Sequence, residues 1–212
     1  IKDDSIVGVS MGSTLHHMVS ALRKAPAERV TYVPLVGGMG RLRMELHANS
    51  LAEKMSRLGD GTFIPLHAPA RVSSTLVRDE LMKEESVQDA VKLMNRIDVA
   101  LVGIGYPNEH SAIKATGYYK ENEIESLISR KAAGELCMQF YDMEGRTEPY
   151  VSDNAVIGMD IQRLRKVPCS VGIAGGKEKL PAIQGAINGK YINVLITDTE
   201  CARALLSDEE EE

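Results

Sequence analysis

Short apolar runs rich in β-branched residues recur along the chain at residues 6–9, 30–34, 62–66, 99–104, 170–174 and 192–197, each bounded by turn-forming residues. They are apolar throughout rather than alternating, which is the pattern of strands buried on both faces of a sheet. Between them the spacing changes to that of helices. Residues 14–24 carry Leu15, Met18, Val19 and Leu22, residues 42–58 carry Leu42, Leu46, Leu51, Met55 and Leu58, and residues 74–84 carry Leu76 and Leu81. Ser86 is placed to cap a helix over 87–97, and helices over 179–188 and 199–206 complete the series. Strands alternating with helices need right-handed crossovers, so the pattern predicts an α/β domain with a doubly wound, largely parallel sheet.

The rhythm breaks between residues 109 and 149. Two helix-like pieces, 120–129 and 130–133, precede a strand-like run over 138–142 and a Met143-Glu-Gly-Arg146 turn that reads as a hairpin tip. This stretch is expected to be a small subdomain, inserted on the sheet or lying over one of its edges. There is no internal repeat and no Pro/Gly-rich hinge, so residues 1–207 read as one domain and 208–212 as an acidic tail. The chain opens on Ile1 and enters an apolar run almost at once, which leads us to expect a fragment of a longer protein.

Composition changes this picture in two places. The formal net charge is −5, and the five carboxylates of residues 208–212 account for all of it. Without a dense basic face the chain is not expected to grip a nucleic-acid backbone itself. Cys137, Cys169 and Cys201 are the three cysteines, with no CxxC pair. They read as reduced thiols of a cytoplasmic protein rather than as a disulfide framework or a zinc site. No apolar run reaches 18 residues, so no membrane span is expected.

In an open parallel sheet, ligands bind beyond the carboxyl ends of the strands, where the strand order reverses. The segments that leave the strands are therefore the informative ones. Ser10-Met-Gly12-Ser13-Thr14 feeds straight into a helix, where exposed amides and hydroxyls suit a phosphate, or where Ser13 or Thr14 merely caps the helix. Val36-Gly37-Gly38-Met-Gly40 is followed by Arg41, Arg43, His47 and Asn49; it is a close-approach loop or a plain tight turn, with His47 a ligand contact or a structural histidine. It lacks the GxGxxG order of a dinucleotide site. Gly103 and Gly105 form a second glycine-rich exit, readable as a simple turn. Glu135 could accept hydrogen bonds from sugar hydroxyls or stand on the surface. Ala174-Gly-Gly-Lys-Glu-Lys179 puts Lys179 in the first turn of a helix, better placed than Lys177 to meet a phosphate or carboxylate.

No nucleophile elbow, HExxH motif or local base beside a cysteine is present. His16 and His17 are adjacent and point in different directions on a helix, so they do not chelate one metal, and no cofactor is implied. The methionines at helical spacing, Met18 and Met55 among them, read as core.

Taken together, Gly12-Ser-Thr14, Val36-Gly-Gly-Met-Gly40 with His47-Ala-Asn49, Val102-Gly-Ile-Gly105, Gly134-Glu135, Val156-Ile-Gly158, 174–179 and Val194-Leu-Ile-Thr-Asp198 resemble the sugar-binding domain of the SorC/DeoR-type bacterial transcription regulators. The pieces run in that family's order and cover nearly the whole chain. The resemblance implies a fold related to ribose-5-phosphate isomerase and glucosamine-6-phosphate deaminase. It implies a phosphorylated sugar as effector, a dimer or tetramer whose state the effector alters, and operator DNA held by an N-terminal helix-turn-helix domain that this sequence lacks. It also implies that Ser13, Thr14, Gly38, His47, Asn49, Glu135 and Lys179 line the pocket; Gly12, Gly37 and Gly103, beside them in the same motifs, are expected to bind the ligand as well. Within the family there is some likeness to the regulators of glycolytic genes, which answer to fructose 1,6-bisphosphate. That branch has an arginine where this chain has Val36 and a glutamine where it has His47, so a second phosphate would need Arg41 or Arg43. The alternatives to an effector sensor are a sugar-phosphate isomerase or deaminase with Glu135 as base, and a purely structural oligomerisation module.

Overall fold

The computed structural model describes residues 1–24, 27–108 and 112–207; the acidic run at 208–212 lies outside them. Six parallel strands form the central sheet: β1 (Ile6–Val9), β2 (Thr31–Pro34), β3 (Thr62–Phe63), β4 (Val99–Gly103), β7 (Cys169–Ile173) and β8 (Val194–Ile196). Their order is β3-β2-β1-β4-β7-β8, so the winding reverses between β1 and β4. The connecting helices are α1 (Ser13–Ala21), α2 (Ala48–Leu58), α3 (Thr75–Leu81), α4 (Glu85–Met94), α5 (Ala112–Ala115), α6 (Glu121–Ser129), α7 (Leu180–Asn188) and α8 (Thr199–Ser207). A separate antiparallel hairpin consists of β5 (Gly134–Leu136) and β6 (Gln139–Tyr141).

The four inner strands β2, β1, β4 and β7 are buried on both faces, as their composition requires, whereas the edge strands depart from that expectation: β3 leaves Thr62 exposed and β8 leaves Val194 and Ile196 exposed, because an edge strand is covered on fewer sides. Val7, Val9, Tyr32, Val99, Leu101, Val171 and Ile173 turn toward Leu15 and Val19 of α1 and Leu51 and Met55 of α2. The alternate positions, Val33, Ala100 and Val102, face Ala90 and Met94 of α4, the hairpin and α7. Burial of each such large side chain contributes roughly 1.5–3 kcal/mol, which is what holds helices on both sides of the sheet. Met55 is buried and Met18 packs at the margin of the same cluster.

Four elements depart from the sequence pattern. The helix expected over 42–58 is a short turn at Met44–Leu46 followed by α2, with His47 extended between them. The carbonyls of Leu42 and Leu46 are taken by the His47 ring and the Gly12 amide. Residues 130–133 are not helical, because Lys131 turns through a positive φ of 60° and Ala133 already donates to Tyr141 across the hairpin. The hairpin tip is Cys137–Met138, with φ of 52° and 64°, rather than Met143–Arg146. That second turn is closed by Asp142, whose Oδ1 accepts from the amides of Glu144 and Arg146. Glu84, not Ser86, precedes α4, whereas Ser74 does cap α3 by accepting from the Val77 amide.

The inserted hairpin stands at the centre of the sheet, not over an edge. Gly105 and Glu135 exchange backbone hydrogen bonds at the exit of β4, and the Tyr141 hydroxyl donates to the Ala182 carbonyl of α7. A chain segment from outside the winding is thereby fixed beside the point of reversal.

Candidate functional site

The carboxyl ends of β1 and β4 open on a cleft lined by Met11, Gly12, Ser13, Thr14, Gly103, Ile104, Gly105, Glu135 and Lys179. It is small and open, about 60 Å³. A larger hollow of about 310 Å³ lies between Arg78, Gln139, Asn154 and Asp160, but its buried amide is already bonded: Gln139 donates to the Met159 carbonyl and accepts from Asn154 and Ile161. The cleft, by contrast, presents groups free to bind.

Gly12 precedes α1 with a φ of 114°, and no side chain caps the helix start. The capping alternative for Ser13 and Thr14 therefore fails, and both stand inside the first turn. The amides of that turn have no carbonyl of their own helix to bond and carry partial positive charge, so an anion fits there. The Gly12 amide itself is taken by the Leu46 carbonyl at 3.0 Å, which clamps the 44–46 turn against the start of α1.

Glu135 faces this helix start from the hairpin. It is 5% exposed, and its Oε2 accepts from the Met138 amide at 2.8 Å. Burial pushes its carboxyl up to about 7, against the opposing pull of the Met138 amide and the charge of Lys179. The neighbouring Cys137 thiol, buried and 3.6 Å from the Ser10 hydroxyl, is pushed up to about 12 and is inert. Lys179 sits at the junction of the Lys177–Lys179 turn and α7, half-buried, and forms no ion pair among the described residues. Lys177 is exposed and lies 3.7 Å from Glu200.

Gly12, Ser13, Thr14, Gly103, Glu135 and Lys179 thus come together from four separate places in the chain: the start of α1, the end of β4, the hairpin and the start of α7. Gly37, Gly38, His47 and Asn49 do not line the cleft. The amides of Gly37 and Gly38 bond the Ile157 and Ala68 carbonyls, splicing their loop between two neighbouring segments. His47 is buried, with Nδ1 facing the Met39 amide at 3.4 Å and Nε2 the Leu42 carbonyl at 2.9 Å. The Asn49 amide pairs with both backbone groups of Leu66. These residues hold the floor of the loop that the Gly12 amide clamps. Arg43 is paired with Glu45, and Arg41 is exposed with its stem along Gly117.

Two contributors stand in the motifs read from the sequence but were given no place in the site. Gly105 gives Glu135 the room it occupies, and Asp198 ties down the turn before Lys179 by accepting from the Gly176 amide at 2.7 Å. An aspartate between a strand and a helix was the available signal for Asp198, since that position favours a cap. Among the described residues no group of three His, Cys, Asp or Glu side chains could hold a metal, and no helix is long and apolar enough to cross a membrane.

A doubly wound domain with an anion-suited cleft at its switch point is the class that fold and geometry define. The chain belongs to the family described as "Putative sugar-binding domain", which matches residues 1–207. It is 30% identical over 208 residues to the sorbitol operon regulator of Klebsiella pneumoniae, and 29% over 213 residues to the deoxyribonucleoside regulator of Bacillus subtilis. These alignments cover 97% and 98% of this chain and 66% of each relative's length. The crystal structure of the full-length sorbitol operon regulator SorC superposes with a TM-score of 0.89 at 32% identity, covering 97% of this chain and 68% of that one. The SorC/DeoR-type resemblance is borne out, and these relatives are named as transcription regulators, not enzymes.

Proposed function

We propose that this chain is the effector-sensing domain of a bacterial transcription regulator and that its effector is a phosphorylated sugar. The observation that carries the reading is the meeting of the uncapped α1 start, Glu135 and Lys179, which forms no ion pair among the described residues, at the switch point. The phosphate sits on the amides of Ser13 and Thr14 and on the Lys179 ammonium, where charge-assisted hydrogen bonds are strongest. Glu135 accepts from a sugar hydroxyl. Effector binding changes the oligomer through different affinity for its two states, and operator DNA is held by another segment of the whole protein.

Thermal unfolding against fructose 1,6-bisphosphate, fructose 6-phosphate, glucose 6-phosphate and dihydroxyacetone phosphate, with the unphosphorylated sugars as controls, tests this. A ligand at about 100 times its dissociation constant adds roughly 2.7 kcal/mol, so an effector raises the midpoint by several degrees while its unphosphorylated sugar does not. Equal shifts with and without the phosphate would sink the phosphate assignment, and turnover of any of the phosphosugars would sink the sensor reading.

A further inference from the structure

Lys179 is a flexible side chain at the end of a glycine turn, and such a group serves a binding site only if its backbone is held. The turn consists of Gly175 and Gly176 followed by the Lys177–Lys179 single turn, and the Lys179 amide donates to the Gly176 carbonyl at 2.9 Å. What holds Gly176 in place is a carboxylate from the next strand exit. Asp198 Oδ2 accepts from the Gly176 amide at 2.7 Å, while Oδ1 accepts from the Cys201 amide at 2.8 Å in the first turn of α8. Gly175 lets the two segments meet, since a Cβ there would lie 2.7 Å from Asp198 Oδ2. The amides of Cys201, Gly176 and Glu200 hold the Asp198 carboxyl below its ordinary value, so it is ionised and fully engaged with backbone donors.

We propose that Asp198 is the positioning residue of the effector site: it locks the Gly175–Gly176 turn and, through the Gly176 peptide, sets where Lys179 meets the phosphate. This rests on the sugar-phosphate reading of the cleft. Asp198 touches no ligand itself. Its contribution to affinity passes entirely through Lys179, whereas its contribution to stability, through the start of α8, does not depend on Lys179 at all.

A double-mutant cycle separates the two. Dissociation constants of the 212-residue chain for fructose 6-phosphate, glucose 6-phosphate, dihydroxyacetone phosphate and fructose 1,6-bisphosphate are measured by titration calorimetry for wild type, Asp198→Asn, Lys179→Ala and the double variant, with the thermal midpoint of each unliganded protein. Asp198→Asn keeps the shape but removes the charge, and a charge-assisted hydrogen bond lost in this way weakens binding on the order of tenfold. In the Lys179→Ala background the same change costs no further affinity, although the midpoint still falls. Gly175→Ala, which crowds the carboxylate from the other side, reproduces both results and stands in if Asp198→Asn does not fold. Additive losses of affinity would overturn the positioning role while leaving the cleft's function intact. Absence of binding by wild type to all four phosphosugars would overturn the sugar-phosphate reading, and this inference with it.

Discussion

Glu135 lies over Gly105: the two residues exchange backbone hydrogen bonds of 3.1 and 2.9 Å, and Oε1 of the glutamate fills the space a Gly105 side chain would need. A buried carboxylate is thus seated on bare backbone at the mouth of the cleft. Gly105→Ala is expected to displace it at a cost of roughly 1–3 kcal/mol, the range for an added methyl in a packed site. Thermal unfolding should fall by several degrees and phosphosugar affinity with it. An unchanged midpoint would mean that the carboxylate is free to move.

Glu135 also makes stability depend on pH. Its carboxyl is raised from 4.5 to about 7 in the folded chain, so the native state binds a proton that the unfolded state has already released between those values. The sign follows: its favourable contribution is complete below about 4.5 and is lost as pH rises through about 7. The size is on the order of 3 kcal/mol. Denaturant titrations from pH 4.5 to 7.5 should show wild-type stability declining relative to Glu135→Gln, which removes the titrating group; parallel curves would refute a raised carboxyl.

Lys179→Ala separates binding from folding. The ammonium is half-buried and forms no ion pair among the described residues; its charge does pull on the buried Glu135 carboxyl, but that carboxyl is already raised and takes up a proton when the charge is lost, so the unliganded midpoint should move little. Affinity for a phosphosugar should fall by about tenfold or more, as expected for loss of a charge-assisted contact. Calorimetric titration reads this directly, and affinity equal to that of wild type would remove Lys179 from the site.

His47→Ala is expected to act through the fold. Truncation leaves the Met39 amide and the Leu42 carbonyl without their present partner, a loss of about 1–3 kcal/mol. Limited proteolysis should then cut between residues 37 and 46 faster than in wild type, with a lowered thermal midpoint. Loss of phosphosugar affinity with neither change would instead make His47 a direct contact.

The alternation of strands with amphipathic helices was legible in the order of apolar residues, because burial on both faces of the four inner strands leaves no polar position to vary; that β3 and β8 stand exposed at the edges was not. The same order led to the switch-point exits that carry Gly12, Ser13, Thr14, Gly103 and Lys179, while Glu135 stood ahead of a possible strand and the family resemblance implied its place in the pocket. What the sequence could not determine was which exits meet. Gly37, Gly38, His47 and Asn49 follow a strand just as Lys179 does, yet their polar groups are spent on the backbone of residues 39, 42, 66, 68 and 157, partners up to 120 residues away along the chain. Hydrogen bonds of that range leave no periodic trace. The helix expected over 42–58 gave way in part for the same reason, since the Leu46 carbonyl took the distant Gly12 amide while the Leu42 carbonyl took the nearby His47 ring. Local periodicity reports which face of an element is buried; only the folded chain decides which of its polar groups remain free for a ligand.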